Sequence, residues 1–156
     1  MKANKFLEIC KKCGALCCRV GGSTYTEEEK NRVLKAGYED YFVEVETGFY
    51  ETKCKNGRCP YLKENNSCEI QEVKPIVCVS YPIFPNFKGK EGYTLIECPL
   101  AKIMSKKEIS KCKRDADKVS KKLMDVVLNY ETIKNENERE LAMKNFKKLG
   151  KQVDLE

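Results

Sequence analysis

The chemistry in this chain is concentrated in its cysteines, of which there are ten, against no histidine. Four fall within nine residues, Cys10-Lys11-Lys12-Cys13-Gly14-Ala15-Leu16-Cys17-Cys18. A Cys-x-x-Cys pair can bite one metal because a tight turn aims both sulfurs inward. A glycine after the second cysteine lets the backbone turn and face its amides toward sulfur. Adjacent residues direct their side chains differently, so the Cys17-Cys18 doublet points to two neighbouring sites, or to one ligand beside a packed thiol. A second group comprises Cys54, Cys59-Pro60, Cys68, Cys78 and Cys98-Pro99. Proline after a ligand cysteine fixes the backbone and removes a donor, as in ferredoxin loops.

The missing histidine excludes Ser-His-Asp and Cys-His hydrolases, paired-histidine zinc proteases and histidine-containing zinc fingers. A metal must sit on sulfur, with carboxylate or water as the other ligands. The segment Met1 to Cys10 lacks the apolar core of a secretory signal, and no apolar run approaches a membrane span. A cytoplasmic, reducing setting is therefore expected, where clustered thiols are metal ligands or redox groups rather than disulfides.

The ordered set Cys-x-x-Cys, Cys-Cys, Cys-Pro-Tyr-Leu, Cys-x-Ile, Lys-Pro-x-x-Cys-x-x-Tyr-Pro and Cys-Pro resembles the YkgJ-type cysteine-cluster family. That family is described as zinc- or iron-chelating and named for a CxxCxxCC motif. The resemblance spans about Cys10 to Pro99, and the helix start at Thr26 to Glu29 is similar too. It departs in three places: three residues separate Cys13 from Cys17, Lys74 stands where the family usually has Arg, and Tyr81 stands where it often has Phe. Carried over, the resemblance implies the metal ligands Cys10, Cys13, Cys17, Cys18, Cys59, Cys68, Cys78 and Cys98. Cys54 and Cys112 fall outside the shared pattern. It extends distantly to flagellin lysine methylases, which implies a 4Fe–4S cluster and S-adenosylmethionine.

Thiolates suit both zinc and iron–sulfur clusters. Eight would hold two zinc ions, two cubane clusters, or one of each. Close thiolate clustering beside proline and apolar residues (Tyr61, Leu62, Ile70, Ile76, Tyr81 and Phe84) puts an iron–sulfur cluster ahead of zinc, and the resemblance implies its 4Fe–4S form. Three functions are expected: a cluster-binding protein for redox, cluster handling or small-ligand chemistry; by the resemblance alone, an S-adenosylmethionine-dependent protein lysine methyltransferase; or a zinc-scaffolded interaction module using the basic helix. Expected partners are a metal or cluster and a small-molecule or protein substrate. Nucleic acid is not favoured, and no membrane is expected.

These residues need elements to position them. Mean hydropathy is −0.59 and tryptophan is absent, so apolar burial is thin and metal cross-links are its usual substitute. Between Cys10 and Pro99 lie nine cysteines, all five prolines and eight of nine glycines. The remainder is Lys/Glu/Asn-rich, and residues 101–151 carry 15 Lys+Arg against 8 Asp+Glu. The expected organisation is an irregular, metal-nucleated α+β domain, 1–102, with a basic helical extension, 103–156, packed on it.

Thr26-Glu27-Glu28-Glu29 has capping-box form, opening a helix through Val33 and Leu34 that stops at Gly37. Tyr41 to Lys53 reads as a hairpin turning at Thr47-Gly48. Asn56-Gly57 and Asn65-Asn66 are turns. Val73 to Val77 reads as a helical turn bent at Pro75, Ile83 to Phe87 as a loop, and Tyr93 to Glu97 as a strand. Gly21-Gly22-Ser23 reads as a loop, with backbone anion binding the alternative.

A second capping box, Ser105 to Glu108, opens one helix with its stripe on Ile109, Cys112, Ala116, Val119, Leu123, Val126 or Val127, and Tyr130. Cys112 on that stripe reads as a packed thiol. A second helix, about Glu136 to Leu149, carries Ala142, Phe146 and Leu149, ends at Gly150, and completes a helical hairpin. The lysines and arginine from Lys106 to Lys122 read as a solvated face, with nucleic-acid contact the alternative.

Overall fold

The computed structural model describes residues 8–10, 18, 22–53, 58–128 and 136–156. Thr26 both closes strand β1 (Thr24–Thr26) and caps helix α1 (Glu27–Lys35). The Glu29 amide donates to Thr26 Oγ1 at 3.2 Å, and the Thr26 amide donates to Glu29 Oε1 at 3.0 Å. Both halves of the expected capping box are therefore present. The helix turns Val33 into the core and gives way to Gly37 at φ +94°, a left-handed conformation that suits glycine.

The hairpin expected from the β-branched and aromatic run is β2 (Phe42–Glu46) and β3 (Phe49–Thr52). Both pair antiparallel with their neighbours in a sheet of order β1-β3-β2. Helix α2 (Ile76–Ser80) follows Pro75, which stands at its N-cap. The expected bend at Pro75 is instead a helix start, displaced toward the C-terminus. Proline lacks the N–H that a helix start would leave unpaired.

Ile83 to Phe87 is not the exposed loop expected. Ile83–Pro85 forms β4, Ile83 is fully buried, and Phe84 and Phe87 pack against buried clusters. Strand β4 pairs with β5 (Tyr93–Ile96), as expected for the latter, and β5 pairs with β6 (Gln152–Leu155).

The C-terminal part differs from a two-helix hairpin. The first helix is two, α3 (Lys106–Ala116) and α4 (Lys121–Val127). The Ser105 capping box is present, but Ser120 then re-caps the chain by accepting from the Leu123 amide at 3.1 Å. Ala116, Val119 and Leu123 stay buried across the break, so the apolar spacing survives it. Helix α5 (Glu136–Leu149) runs into β6 through Gly150 at φ +145°. A Cβ at Gly150 would run into the Glu97 carbonyl, so only glycine lets this connection lie against the end of β5.

Helix α3 packs against α2 and β4, and α4 packs against β1. Among the described residues, buried side chains form three clusters. The first is Tyr25, Val33, Cys59, Tyr61 and Ile70; the second Val77, Val119, Leu123 and Met124; the third Ile96, Cys98 and Leu149.

Candidate metal centre

Two of the candidate ligands are placed by one tight hairpin. The Leu62 amide donates to the Cys59 carbonyl, the Glu69 amide to the Tyr61 carbonyl, and Leu62 bridges Cys68. Asn66 takes φ +66° at the turn, which its short polar side chain tolerates. The Tyr61 amide donates to the Cys59 sulfur and the Ile70 amide to the Cys68 sulfur. Each sulfur thus receives a backbone N–H from two residues downstream, a donor suited to a thiolate. Cys18 is drawn to this hairpin because the Cys59 amide donates to its carbonyl at 2.7 Å.

Cys78 comes from helix α2. Its position depends on Glu29, whose Oε2 accepts from the Ile76 amide at 2.6 Å while Oε1 caps α1. One nearly buried carboxylate therefore ties the starts of both helices together. The Ser23 hydroxyl lies 2.7 Å from the Cys78 sulfur.

Electrostatics show which thiols share a neighbourhood. Burial pushes Cys59 well up, and the Cys18, Cys78 and Cys68 sulfurs push it further. Burial and Cys18 also raise Cys68. Cys78 is pushed up to about 12, first by burial, with Cys18 and Cys68 adding to it and Ser23 and Lys74 opposing. The Tyr25 hydroxyl is raised by burial, then by Cys78, Cys59 and Cys68. Cys59, Cys68 and Cys78 thus act on the buried Tyr25, and Cys18 acts on all three of them, with the Lys74 ammonium opposing at Cys68 and Cys78.

Cys98 is buried against Ile96 and Leu149 in the third cluster. Cys10 is half-buried in a helical turn at 8–10. Cys112 is half-buried on α3, raised by burial, with Asp115 and Glu108 adding to it and Lys111 and Lys74 opposing. Cys13, Cys17 and Cys54, like the Asn56-Gly57 turn, lie outside the described residues, as do the side chains of Ala142 and Phe146. Among the described residues, no three Cys, Asp or Glu side chains are gathered tightly enough to hold one ion.

The donor set nevertheless fits a thiophilic metal. It is sulfur without imidazole, it carries amide donors to two sulfurs, and it has Tyr25, Tyr61 and Ile70 as an apolar wall. An open depression of about 480 Å³, lined by Arg58, Leu62, Lys63 and Asn65 among others, reaches Cys59 from outside.

Sequence reasoning missed Ser23 and the second duty of Glu29. Ser23 was legible only as part of a Gly-Gly-Ser loop, and Glu29 only as a cap. The basic face is partly committed within the fold. Lys111 and Lys118 pair with Asp115, Lys113 donates to the Glu156 carbonyl, and Lys122 lies over the Phe49 ring.

Residues 9–114 match the CxxCxxCC family, described as "Putative zinc- or iron-chelating domain". The chain belongs to the CxxCxxCC family. The match takes in Cys10 through Cys112, hence Cys18, Cys59, Cys68 and Cys78, and ends within α3. Neither a curated protein nor a solved structure matches the chain. Metal binding by cysteines is thus the activity that family membership and the donor set share. Among the described residues, no helix is long and apolar enough to cross a membrane.

Proposed function

We propose that this CxxCxxCC protein carries an iron–sulfur cluster, 4Fe–4S, held by Cys18, Cys59, Cys68 and Cys78, and serves redox or cluster-handling chemistry in the cytoplasm. What supports this reading is that four thiols from three separate chain segments act on one another, Cys18, Cys59 and Cys68 packing with Tyr25 in the first cluster and Cys78 with the second. Cys10, Cys13 and Cys17 belong to the same N-terminal run as Cys18 and are the reserve of further ligands. Cys98, in the third cluster, stands apart from the four.

When bound, such a cluster supplies one-electron chemistry or Lewis acidity. The chain's own residues do the rest. The amides of Tyr61 and Ile70 offset thiolate charge at Cys59 and Cys68. Lys74 favours the thiolate forms of Cys68 and Cys78. Tyr25 and Ile70 keep water from the sulfurs, while the depression beside Cys59 gives a small ligand its approach.

Four thiolates also satisfy one tetrahedral zinc, and that count favours zinc as the second reading. Anaerobic purification followed by iron, acid-labile sulfide and zinc analysis decides between them. Iron and sulfide in equal amounts with a brown colour support the cluster. A colourless protein with one zinc replaces it by the second reading.

A further inference from the structure

We propose that Ser23 is a positioning residue for this centre: its hydroxyl donates a hydrogen bond to the Cys78 sulfur, fixing that ligand's direction and drawing charge from it. The inference rests on the reading of Cys78 as a metal ligand. The two residues stand 55 apart in sequence, yet Ser23 Oγ and Cys78 Sγ are 2.7 Å apart. A thiol could be either partner in such a contact. A thiolate can only accept, so the hydroxyl becomes the donor once Cys78 ligates, and the bond becomes charge-assisted.

Both ends of the contact are held independently. On one side, Ser23 directly precedes β1, whose register is fixed by pairing Thr24 with Glu51. Before it, Gly22 is pressed against fully buried Thr52; a Cβ on Gly22 would run into Thr52 Oγ1 and Cβ. Ser23 therefore has a seat that the backbone cannot leave without disturbing the sheet. On the other side, Cys78 rides on α2, whose first amide is fixed by Glu29. A side chain lodged between two such supports acts on the sulfur itself. Partners of this kind orient metal ligands and typically change metal affinity by about 10–100-fold when removed.

The test uses the full chain and Co(II) as the probe, with Ser23→Ala and Ser23→Thr. Co(II) is titrated anaerobically against a chromophoric chelator, and the sulfur-to-cobalt charge-transfer band is recorded. Ser23→Ala is expected to bind Co(II) at least about tenfold more weakly. Its band is expected at lower energy, because an undonated thiolate is easier to oxidise. Ser23→Thr, which keeps the hydroxyl, should restore both. An unmoved band in Ser23→Ala overturns the proposal even if affinity falls, since a merely structural role would lower affinity alone. A wild-type chain that binds no Co(II) brings down the metal reading itself and this inference with it, whereas a wild type that loads normally beside an indistinguishable Ser23→Ala brings down only the inference.

Discussion

Replacing Glu29 with alanine should damage the metal centre although Glu29 is not a ligand. Its carboxylate accepts from the Ile76 amide at 2.6 Å and from the Thr26 amide at 3.0 Å, and the residue is only 7% exposed. A hydrogen bond to a charged group contributes roughly 1.5–3 kcal/mol, and the second, partly redundant bond roughly 0.5–1.5 kcal/mol. Glu29→Ala should therefore cost about 2–4.5 kcal/mol of folding stability.

The comparison variant is Glu28→Ala. Glu28 pairs with Arg32 at 3.7 Å with both side chains more than half exposed, so its loss should cost under about 0.5 kcal/mol. Urea unfolding of both variants, in apo and metal-loaded form, supplies the readout. Freed from Glu29, α2 loses the restraint on its first turn and Cys78 shifts with it. Metal affinity should then fall about tenfold or more in Glu29→Ala and stay unchanged in Glu28→Ala. Equal stability and equal affinity in the two variants would refute the idea that one carboxylate anchors both helices.

Among the cysteines, Cys68→Ser should abolish stoichiometric metal binding, whereas Cys112→Ser, outside the four proposed ligands, should retain it; metal analysis of both purified variants checks this. Metal uptake should strengthen as pH rises, because burial keeps the apo thiols protonated and binding must release those protons, as a titration at pH 6.5 and 8.5 would show. In the apo protein the folded-state thiols titrate above the unfolded value of about 8.5. Their contribution to stability is complete below that pH and is lost as pH climbs toward the folded value of Cys78, about 12, a loss the metal-loaded protein should lack in alkaline melts. Gly150→Ala should cost roughly 1–3 kcal/mol by denaturation, because φ +145° and the Glu97 carbonyl leave no place for a methyl group.

The sequence carried the parts of this fold that are governed locally. Both capping boxes, the stop at Gly37, the Thr47-Gly48 turn and the end of α5 at Gly150 depend on residues within a few positions of one another. Parts governed from afar were not legible. Gln152–Leu155 alternates polar and apolar residues over only four positions and becomes a strand because β5 offers it an open edge and Gly92 and Gly150 leave room. The start of α2 after Pro75 depends on a carboxylate 47 residues earlier. The break between α3 and α4 was hidden because Ala116, Val119 and Leu123 keep helical spacing while Ser120 starts a new cap.

The site divides in the same way. Cysteine types and spacings named Cys18, Cys59, Cys68 and Cys78 as candidates, since ligand chemistry is written in residue identity. That Cys18, Cys59 and Cys68 pack in one cluster and Cys78 in the second, while Cys98 packs with Ile96 and Leu149, is a tertiary fact with no local trace. Ser23 shows the same limit: nothing in a Gly-Gly-Ser segment announces a sulfur 55 residues away.

X-ray absorption at the metal edge of the anaerobically purified protein measures the ligand atoms themselves. The account predicts a first shell made entirely of sulfur at about 2.3 Å. A shell dominated by oxygen or nitrogen, or a protein that purifies with no metal at all, would contradict it.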